Sequence, residues 1–156
     1  GREPVDEPTS TLSRTGYIIL LGGCPLFWKS KLQTATTLST THAEYTALSS
    51  ALRTLLPTKR MLQEIVGGIG VVAAQASTIV ARAFEDNAAA HILANNQVLT
   101  NRTRYFATQL NHFWEHVRSG EVQVNKIDTK HQLADYLTKG LSREKFERIR
   151  KMVQGW

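Results

Sequence analysis

The organisation of this chain is decided by residues 39–45, STTHAEY, where a strand-rich first part gives way to a long helix. We expect Thr40 or Thr41 to start that helix, because the apolar positions from Ala47 to Ile65 recur near the 3.6-residue period. Glu44 shares a face with this apolar stripe, so its carboxylate should lean toward the sheet. An acid that faces a core needs a partner, and a cation is one such partner.

Three strands are predicted upstream of this stretch. Tyr17–Leu21 is a β-rich run, residues 22–23 are a Gly-Gly turn, and residues 24–30 form the second strand of a hairpin. A third strand is predicted over residues 33–38, which are rich in threonine. Consecutive strands of this kind favour an antiparallel meander.

Helices and strands alternate downstream of the stretch. Pro57 should kink or split the long helix, and the glycines from residue 67 should end it. The later elements are a strand over 77–84, a helix over 88–94, a helix over 102–118, a strand over 121–127 and a helical end over 133–153, broken near 140–142. This order indicates an α/β fold with a mixed central sheet and helices on its faces. Ligands of such sheets gather at the carboxyl ends of strands.

Length and charge bound the class of protein. The 156 residues predict one domain, with a flexible lead over residues 1–12 and the folded domain over 13–156. The 19 lysines and arginines exceed the 13 aspartates and glutamates, which gives a formal net charge of +6. This balance favours a nucleic acid or another anionic partner, although a solvated basic exterior explains it equally well.

The cysteine count and the termini exclude other classes. A single cysteine, Cys24, excludes a disulfide within the chain. The polar, acidic amino terminus shows no signal-peptide pattern, and the apolar run at 17–21 is far too short to cross a membrane. We therefore expect an intracellular protein, cytoplasmic or nuclear, with no membrane partner.

Two further acidic motifs accompany Glu44. Asp86 lies in FEDN at residues 84–87, and Asp135 lies in QLADYLTK at residues 132–139, each where a strand or loop meets a helix. Carboxylates collected from distant segments at such junctions are typical of two-metal phosphodiester hydrolases, which hold two Mg²⁺ ions with hard oxygen ligands. Glu85 should point away from the site if Asp86 faces it, because side chains alternate along a strand.

Each of the three acids also has an ordinary role at the start of a helix. Glu44 fits a capping box that begins at Thr41. Asp86 fits the N-cap of the helix that follows it. Asp135 fits a first-turn acid that the helix dipole stabilises. No one acid decides between these roles and a metal site, whereas their combination favours the metal site.

Several motifs carry a resemblance to a known family. They are SRTGY at 13–17, WKSKLQ at 28–33, LSTTHAEYTAL at 38–48, EDN at 85–87, QLADYLTK at 132–139 and the basic tail over 141–150. With these motifs in this order, the chain resembles the ribonuclease H domain of Copia/Ty1-type LTR retrotransposon polyproteins over residues 13–156. The resemblance implies a ribonuclease H-like mixed sheet with helices on both faces.

The resemblance also implies a function. It implies hydrolysis of the RNA strand of RNA–DNA hybrids during reverse transcription, beside a reverse transcriptase domain of the same polyprotein and within a retroelement particle. Glu44, Asp86 and Asp135 match the second, third and fourth positions of the family's Asp-Glu-Asp-Asp metal set. The implied cofactors are two Mg²⁺ ions, for which Mn²⁺ is a plausible substitute.

The chain departs from the family at its first catalytic position. The family's first aspartate lies on a strand just upstream of SRTGY, whereas Asp6, flanked by Pro4 and Pro8, is the only aspartate there. The resemblance therefore implies that the family's first strand is lacking and the metal site incomplete. The alternative function is a catalytically impaired nucleic-acid-binding or structural remnant of the same fold.

Other residues are candidates for the chemistry and for contacts with nucleic acid. His131, four residues before Asp135, could move a proton near neutral pH, or it is simply a solvated loop histidine. The basic tail from Lys139 to Lys151 would add salt-dependent affinity for phosphate, unless it is an ordinary basic surface. The predicted contacts with the hybrid are Asn87, Arg102, Arg104, Lys29 and Lys31.

Overall fold

The computed structural model describes residues 12–34, 39–68, 79–101 and 103–156. The described residues form four strands and five α-helices, together with two short 3₁₀ turns at Arg104–Phe106 and Thr129–His131. The strands are β1 (Arg14–Leu21), β2 (Cys24–Leu32), β3 (Ala81–Glu85) and β4 (Val122–Lys126). The helices are α1 (Thr40–Gly68), α2 (Ala88–Asn96), α3 (Ala107–Arg118), α4 (Asp135–Thr138) and α5 (Arg143–Gln154). The predicted α/β class is confirmed.

The first two strands form the predicted hairpin. Gly22 and Gly23 both have positive φ, 58° and 86°, which a two-residue turn between right-twisted strands requires. The antiparallel register runs from Arg14 opposite Leu32 to Leu21 opposite Cys24, with an irregularity after Ile19. The predicted third strand is not found in its described part, since residues 33–34 lie outside any strand, and residues 35–38 lie outside the described chain.

Helix α1 continues through Pro57, so the predicted split is wrong. A proline at this position removes one backbone hydrogen bond, to the carbonyl of Arg53, on an exposed turn. The buried residues Leu52 and Leu56 anchor the helix before the proline, and the Thr58 hydroxyl donates to the Thr54 carbonyl at 2.7 Å. Packing on both sides of Pro57 therefore holds the helix together.

The other two strands are parallel and are joined by a crossover through α2 and α3. Ala81 pairs with Val122 and Glu85 with Lys126 at the two ends of the ladder. The core lies between this ladder, α1, α2 and α3, and its most deeply buried aromatic and aliphatic members include Tyr45, Leu110 and Phe113. This arrangement obeys the rule that parallel strands need a covered crossover connection.

The described strands do not form the single central sheet that the sequence predicts. β1 pairs only with β2 and β3 pairs only with β4, which gives two separate two-stranded ladders. Helix α1 packs against both, and α4 reaches across to β1. Gly16 permits this approach, since a Cβ there would collide with the Thr138 side chain. No helix among the described residues is long and apolar enough to cross a membrane.

Candidate active site

The three predicted carboxylates line one cavity. Its volume is about 510 Å³, and it lies between β1 and β3 with the apolar face of α1 as its floor. Glu44 comes from α1, Asp86 follows the carboxyl end of β3, and Asp135 begins α4. Segments 42 and 49 residues apart in the chain (86 − 44 and 135 − 86) thus contribute to one pocket.

Glu44 does not cap its helix. The Ser39 hydroxyl accepts a hydrogen bond from the His42 backbone N–H at 3.1 Å, which makes Ser39 the cap and places His42 three residues after it. The capping-box interpretation of Thr41 and Glu44 is therefore wrong. Glu44 is half-buried, and burial, followed by the charge of Asp86, raises the pKa of its carboxyl above the ordinary value.

Asp86 does not cap its helix either. Asn87 caps α2, because its side-chain oxygen accepts from the Ala90 N–H at 3.0 Å. The N-cap interpretation of Asp86 is therefore wrong by one residue, and the Asp86 carboxylate stays available to the cavity. The sequence predicts Asn87 as a contact with nucleic acid, and in the structure its side-chain oxygen accepts a hydrogen bond at the start of α2.

Glu85 joins the site, which the sequence did not predict. Its side chain is only 5% exposed, and its Oε1 accepts from the Asn87 N–H at 2.9 Å. Burial raises the pKa of Glu85 to about 7, and the charges of Glu44 and Asp86 add to the increase. Both Glu85 and Asp86 line the cavity, since β3 ends at Glu85 and strand alternation does not extend to Asp86. The sequence signal that could have identified Glu85 is its position next to Asp86, which makes two adjacent acids at the end of a predicted strand.

Asp135 is the most buried of the predicted acids, and two lysines neutralise it. Its residue is 3% exposed, Oδ1 lies 2.7 Å from Lys139 Nζ, and Oδ2 lies 2.8 Å from Lys145 Nζ. Burial acts to lower the pKa of Lys139, but the hydrogen bond and charge of Asp135 outweigh it and raise that pKa overall. Two residues predicted to grip phosphate from the tail therefore pair with a buried acid instead.

The acid end of the cavity can thus be defined by six residues. It contains four carboxylates and two ammonium groups, from Glu44, Glu85, Asp86, Asp135, Lys139 and Lys145. The carboxylates are hard oxygen donors of the kind Mg²⁺ binds. Among the described residues, however, no three histidine, cysteine, aspartate or glutamate side chains already lie in a metal-binding arrangement. The donors fit a divalent ion in kind, and holding one requires the side chains to converge.

The remaining predicted residues lie at varied positions around this cavity. His131 is exposed, lines the cavity and belongs to the 3₁₀ turn before α4. Lys29 Nζ lies 3.4 Å from the Ser50 hydroxyl and 6.0 Å from the Tyr17 ring centre, while Lys31 is exposed on the same strand. Arg104 is exposed at the other 3₁₀ turn, and Arg102 lies outside the described residues.

The chain is similar to part of the Pol polyproteins of plant transposons. It is 34% identical over 141 residues to the retrovirus-related Pol polyprotein from transposon TNT 1-94 of Nicotiana tabacum, an alignment that covers 90% of this chain and 10% of that polyprotein. It is 32% and 31% identical over 142 residues to the retrovirus-related Pol polyproteins from transposons RE2 and RE1 of Arabidopsis thaliana, with 91% of this chain and 9% of each polyprotein covered.

These relatives connect the chain to retrotransposon polyproteins, of whose length it spans about a tenth. No family model matches the chain, and no solved structure matches it.

Proposed function

We propose that this chain is a ribonuclease H domain of a retrotransposon Pol polyprotein, which hydrolyses the RNA strand of RNA–DNA hybrids with the help of divalent cations. The single observation that carries the proposal is the meeting of Glu44, Asp86 and Asp135 in one cavity. The similarity to Pol polyproteins and the net charge of +6 support it. A basic protein with an acidic pocket suits a polyanion that is cut at a metal site.

The proposed roles follow from position. Asp86, which follows the carboxyl end of β3 beside Glu85, is the best candidate for a ligand shared by two Mg²⁺ or Mn²⁺ ions, and Glu44 and Asp135 line the same cavity. Bound ions would make hydroxide available near neutral pH and stabilise the leaving 3′ oxygen. Glu44 would orient the attacking water or the ribose 2′-OH, the group that distinguishes RNA from DNA.

We assign the proton transfer and the contacts with phosphate to residues outside the acid end of the cavity. His131 is exposed at the cavity mouth, where an imidazole can hand a proton to the departing oxygen. Lys29, Lys31 and Arg104 would contribute sequence-independent contacts with phosphate. The reverse transcriptase domain of the same polyprotein, in the cytoplasmic particle, is the proposed partner.

The ion pairs of Asp135 favour a second candidate function. With Lys139 and Lys145 on its two oxygens, Asp135 is already charge-compensated and needs no metal ion. This supports a non-catalytic nucleic-acid-binding remnant of the same fold, in which lysines stand where the ions would bind. The two functions differ in one property, because only the nuclease cleaves a hybrid when Mg²⁺ is added.

The test is cleavage of an end-labelled RNA–DNA hybrid by the purified chain with and without Mg²⁺. We expect Mg²⁺-dependent cleavage that Asp86→Asn reduces by at least about 100-fold, the usual scale for a lost electrostatic contribution. Glu64→Gln is the matched control, since Glu64 is exposed on the same helix as Glu44. Hybrid binding without cleavage identifies the remnant, and cleavage that survives Asp86→Asn overturns the site assignment.

A further inference from the structure

A second group of ionisable side chains lies outside the cavity, where α3 ends and the chain turns into β4. His112 and His116 are one helical turn apart on α3, and Glu121 follows in the connection that leads to β4. None of these three residues lines the cavity. The proposed nuclease uses none of them, so their arrangement points to a separate property of the chain.

The Glu121 carboxylate fixes the orientation of the His116 ring. Its Oε2 lies 2.6 Å from His116 Nδ1, and its Oε1 accepts from the Arg60 guanidinium at 3.2 Å. The hydrogen bond with His116 is the largest cause that lowers the pKa of Glu121, so this carboxylate is ionised near neutral pH and can only accept. His116 Nδ1 therefore carries the donated proton.

The other ring nitrogen of His116 is buried and unpaired. Its Nε2 has no hydrogen-bond partner among the described residues. In a neutral imidazole whose Nδ1 carries the proton, Nε2 holds a lone pair. A buried polar atom without a partner is uncommon in folded proteins, and a bound ion can supply the partner. A histidine that binds a metal ion through one nitrogen usually donates from the other nitrogen to a carboxylate, a carbonyl or water.

The His112 ring lies at the distance that a shared metal ion requires. The ring centres of His112 and His116 are 4.8 Å apart, and the ring planes meet at 77°. A zinc–nitrogen bond of about 2.0–2.1 Å places the ion about 3.2 Å from the centre of each ligating ring. Two such rings are about 4.5 Å apart at a bond angle of about 90°, and about 5.2 Å apart at the tetrahedral angle. The observed separation lies between these values, and the exposed His112 side chain can turn a nitrogen toward the ion.

We infer that His112 and His116 form a binding site for a divalent metal ion that prefers imidazole nitrogen, such as Zn²⁺. His116 Nε2 and one ring nitrogen of His112 would be the protein ligands, and Glu121 would be a positioning residue that acts through His116. Imidazole suits Zn²⁺, whereas Mg²⁺ takes oxygen ligands. Among the described residues no third histidine, cysteine, aspartate or glutamate joins the pair, so water would complete the coordination. The inference does not depend on nuclease activity.

An ion at this place would strengthen the contact between α3 and α1. Glu121 connects the two helices, because Lys59 Nζ donates to its backbone carbonyl at 2.8 Å and Arg60 pairs with its carboxylate. An ion that fixes the His116 ring also fixes the hydrogen-bond partner of this carboxylate. A ligand that binds only the folded chain stabilises it. We therefore expect Zn²⁺ to stabilise the fold at this junction.

The test is a calorimetric titration of the chain with Zn²⁺ in millimolar Mg²⁺ and without nucleic acid. The excess Mg²⁺ competes for the carboxylates of the acid end. Cys24→Ser, titrated beside the native chain, removes an exposed thiol that could also bind Zn²⁺. We expect one Zn²⁺ ion per chain in both proteins. The ring-proton NMR signals of His112 and His116 should shift together, and those of His91 should stay in place.

Matched variants decide whether the ion binds to this pair. His112→Asn should weaken Zn²⁺ binding at least about tenfold, and because His112 is exposed, its replacement leaves the core intact. Glu121→Gln should weaken binding by about 10–100-fold, the usual cost of losing the carboxylate partner of a metal-binding histidine. His91→Asn is the control, since His91 is half-buried like His116 but lies on α2, and it should leave the affinity unchanged.

Four outcomes overturn the inference. They are the absence of Zn²⁺ binding, binding that His112→Asn leaves unchanged, binding that Cys24→Ser abolishes, and binding that Asp86→Asn abolishes. The third would assign the ion to the thiol, and the fourth would assign it to the acid end of the cavity. Since the titrations contain no hybrid, failure of the nuclease assay leaves their outcome unaffected, and the two proposals fail separately.

Discussion

The two ends of the cavity are built in opposite ways. At the acid end, polar groups are matched within the chain: Asp135 by two lysines, and Glu85 by the Asn87 backbone N–H. At the other end, apolar side chains such as Phe84 and Val80 are half exposed, and among the described residues β1 and β3 are not paired with each other. The difference shows that ion pairs and a hydrogen bond within the chain stabilise two of the cavity's acids, Asp135 and Glu85, whereas the apolar wall is left half exposed.

The largest expected effect on stability comes from the protonation of the Glu85 carboxyl group. Its folded-state pKa of about 7 exceeds the ordinary value of 4.5, so the folded protein holds a proton that the unfolded chain releases. The contribution of Glu85 to stability is fully present below pH 4.5 and is lost as the pH rises through 7. Glu85→Gln should raise the free energy of unfolding at pH 8 by about 2–3 kcal/mol relative to the native chain.

Urea unfolding at pH 5 and pH 8 measures this effect. Glu115→Gln is the control, because Glu115 is exposed on α3 and should leave the pH dependence unchanged. If Glu85→Gln destabilises the protein equally at both pH values, Glu85 is ionised in the folded state. The acid end would then be less buried than the structure indicates.

Lys139 and Lys145 both pair with Asp135, and we expect them to contribute unequally to the free energy of unfolding. This difference is smaller than the effect at Glu85. The side chain of Lys145 is 27% exposed and that of Lys139 is 49% exposed, so water screens the Lys139 pair more. Lys145→Met should lower the free energy of unfolding by about 2 kcal/mol, because it leaves one oxygen of a buried carboxylate unpaired. Lys139→Met should cost about 1 kcal/mol or less.

Chemical denaturation of both single variants and of the Lys139→Met/Lys145→Met pair measures the ranking. Met keeps most of the apolar stem, so lost packing contributes little to the difference. Equal losses in the two single variants would mean that exposure does not set the strength of these pairs. A stabilised double variant would show that the acid end is not balanced by the lysines at all.

The local features of the fold were readable from sequence. The Gly-Gly turn of the hairpin follows from the two positive φ angles it needs, and the phase of the α1 apolar stripe placed Glu44 toward the cavity. The ion pair between Lys139 and Asp135 could also have been predicted, since Lys139 lies four residues after Asp135 on a predicted helix. The pairing of Lys145 was not, because it depends on how α5 folds back across the break after α4.

The errors came from positions where two local structures compete. Asn87 and Asp86 are both good N-caps, and only the backbone geometry at the end of β3 selects Asn87. Pro57 is a helix breaker in isolation, and packing of the flanking turns overrides it. The pairing of β3 with β4 joins segments that are distant in the chain, and periodicity carries no information about such pairing.

The most direct test of the central claim is a titration of the chain with Mn²⁺, followed by paramagnetic broadening of its backbone amide signals. If the acid end binds a divalent ion, the amides around Glu44, Asp86 and Asp135 should broaden together at low Mn²⁺, and Asp86→Asn should abolish the effect. Broadening that spares these three segments, or that reaches only one of them, would contradict the account.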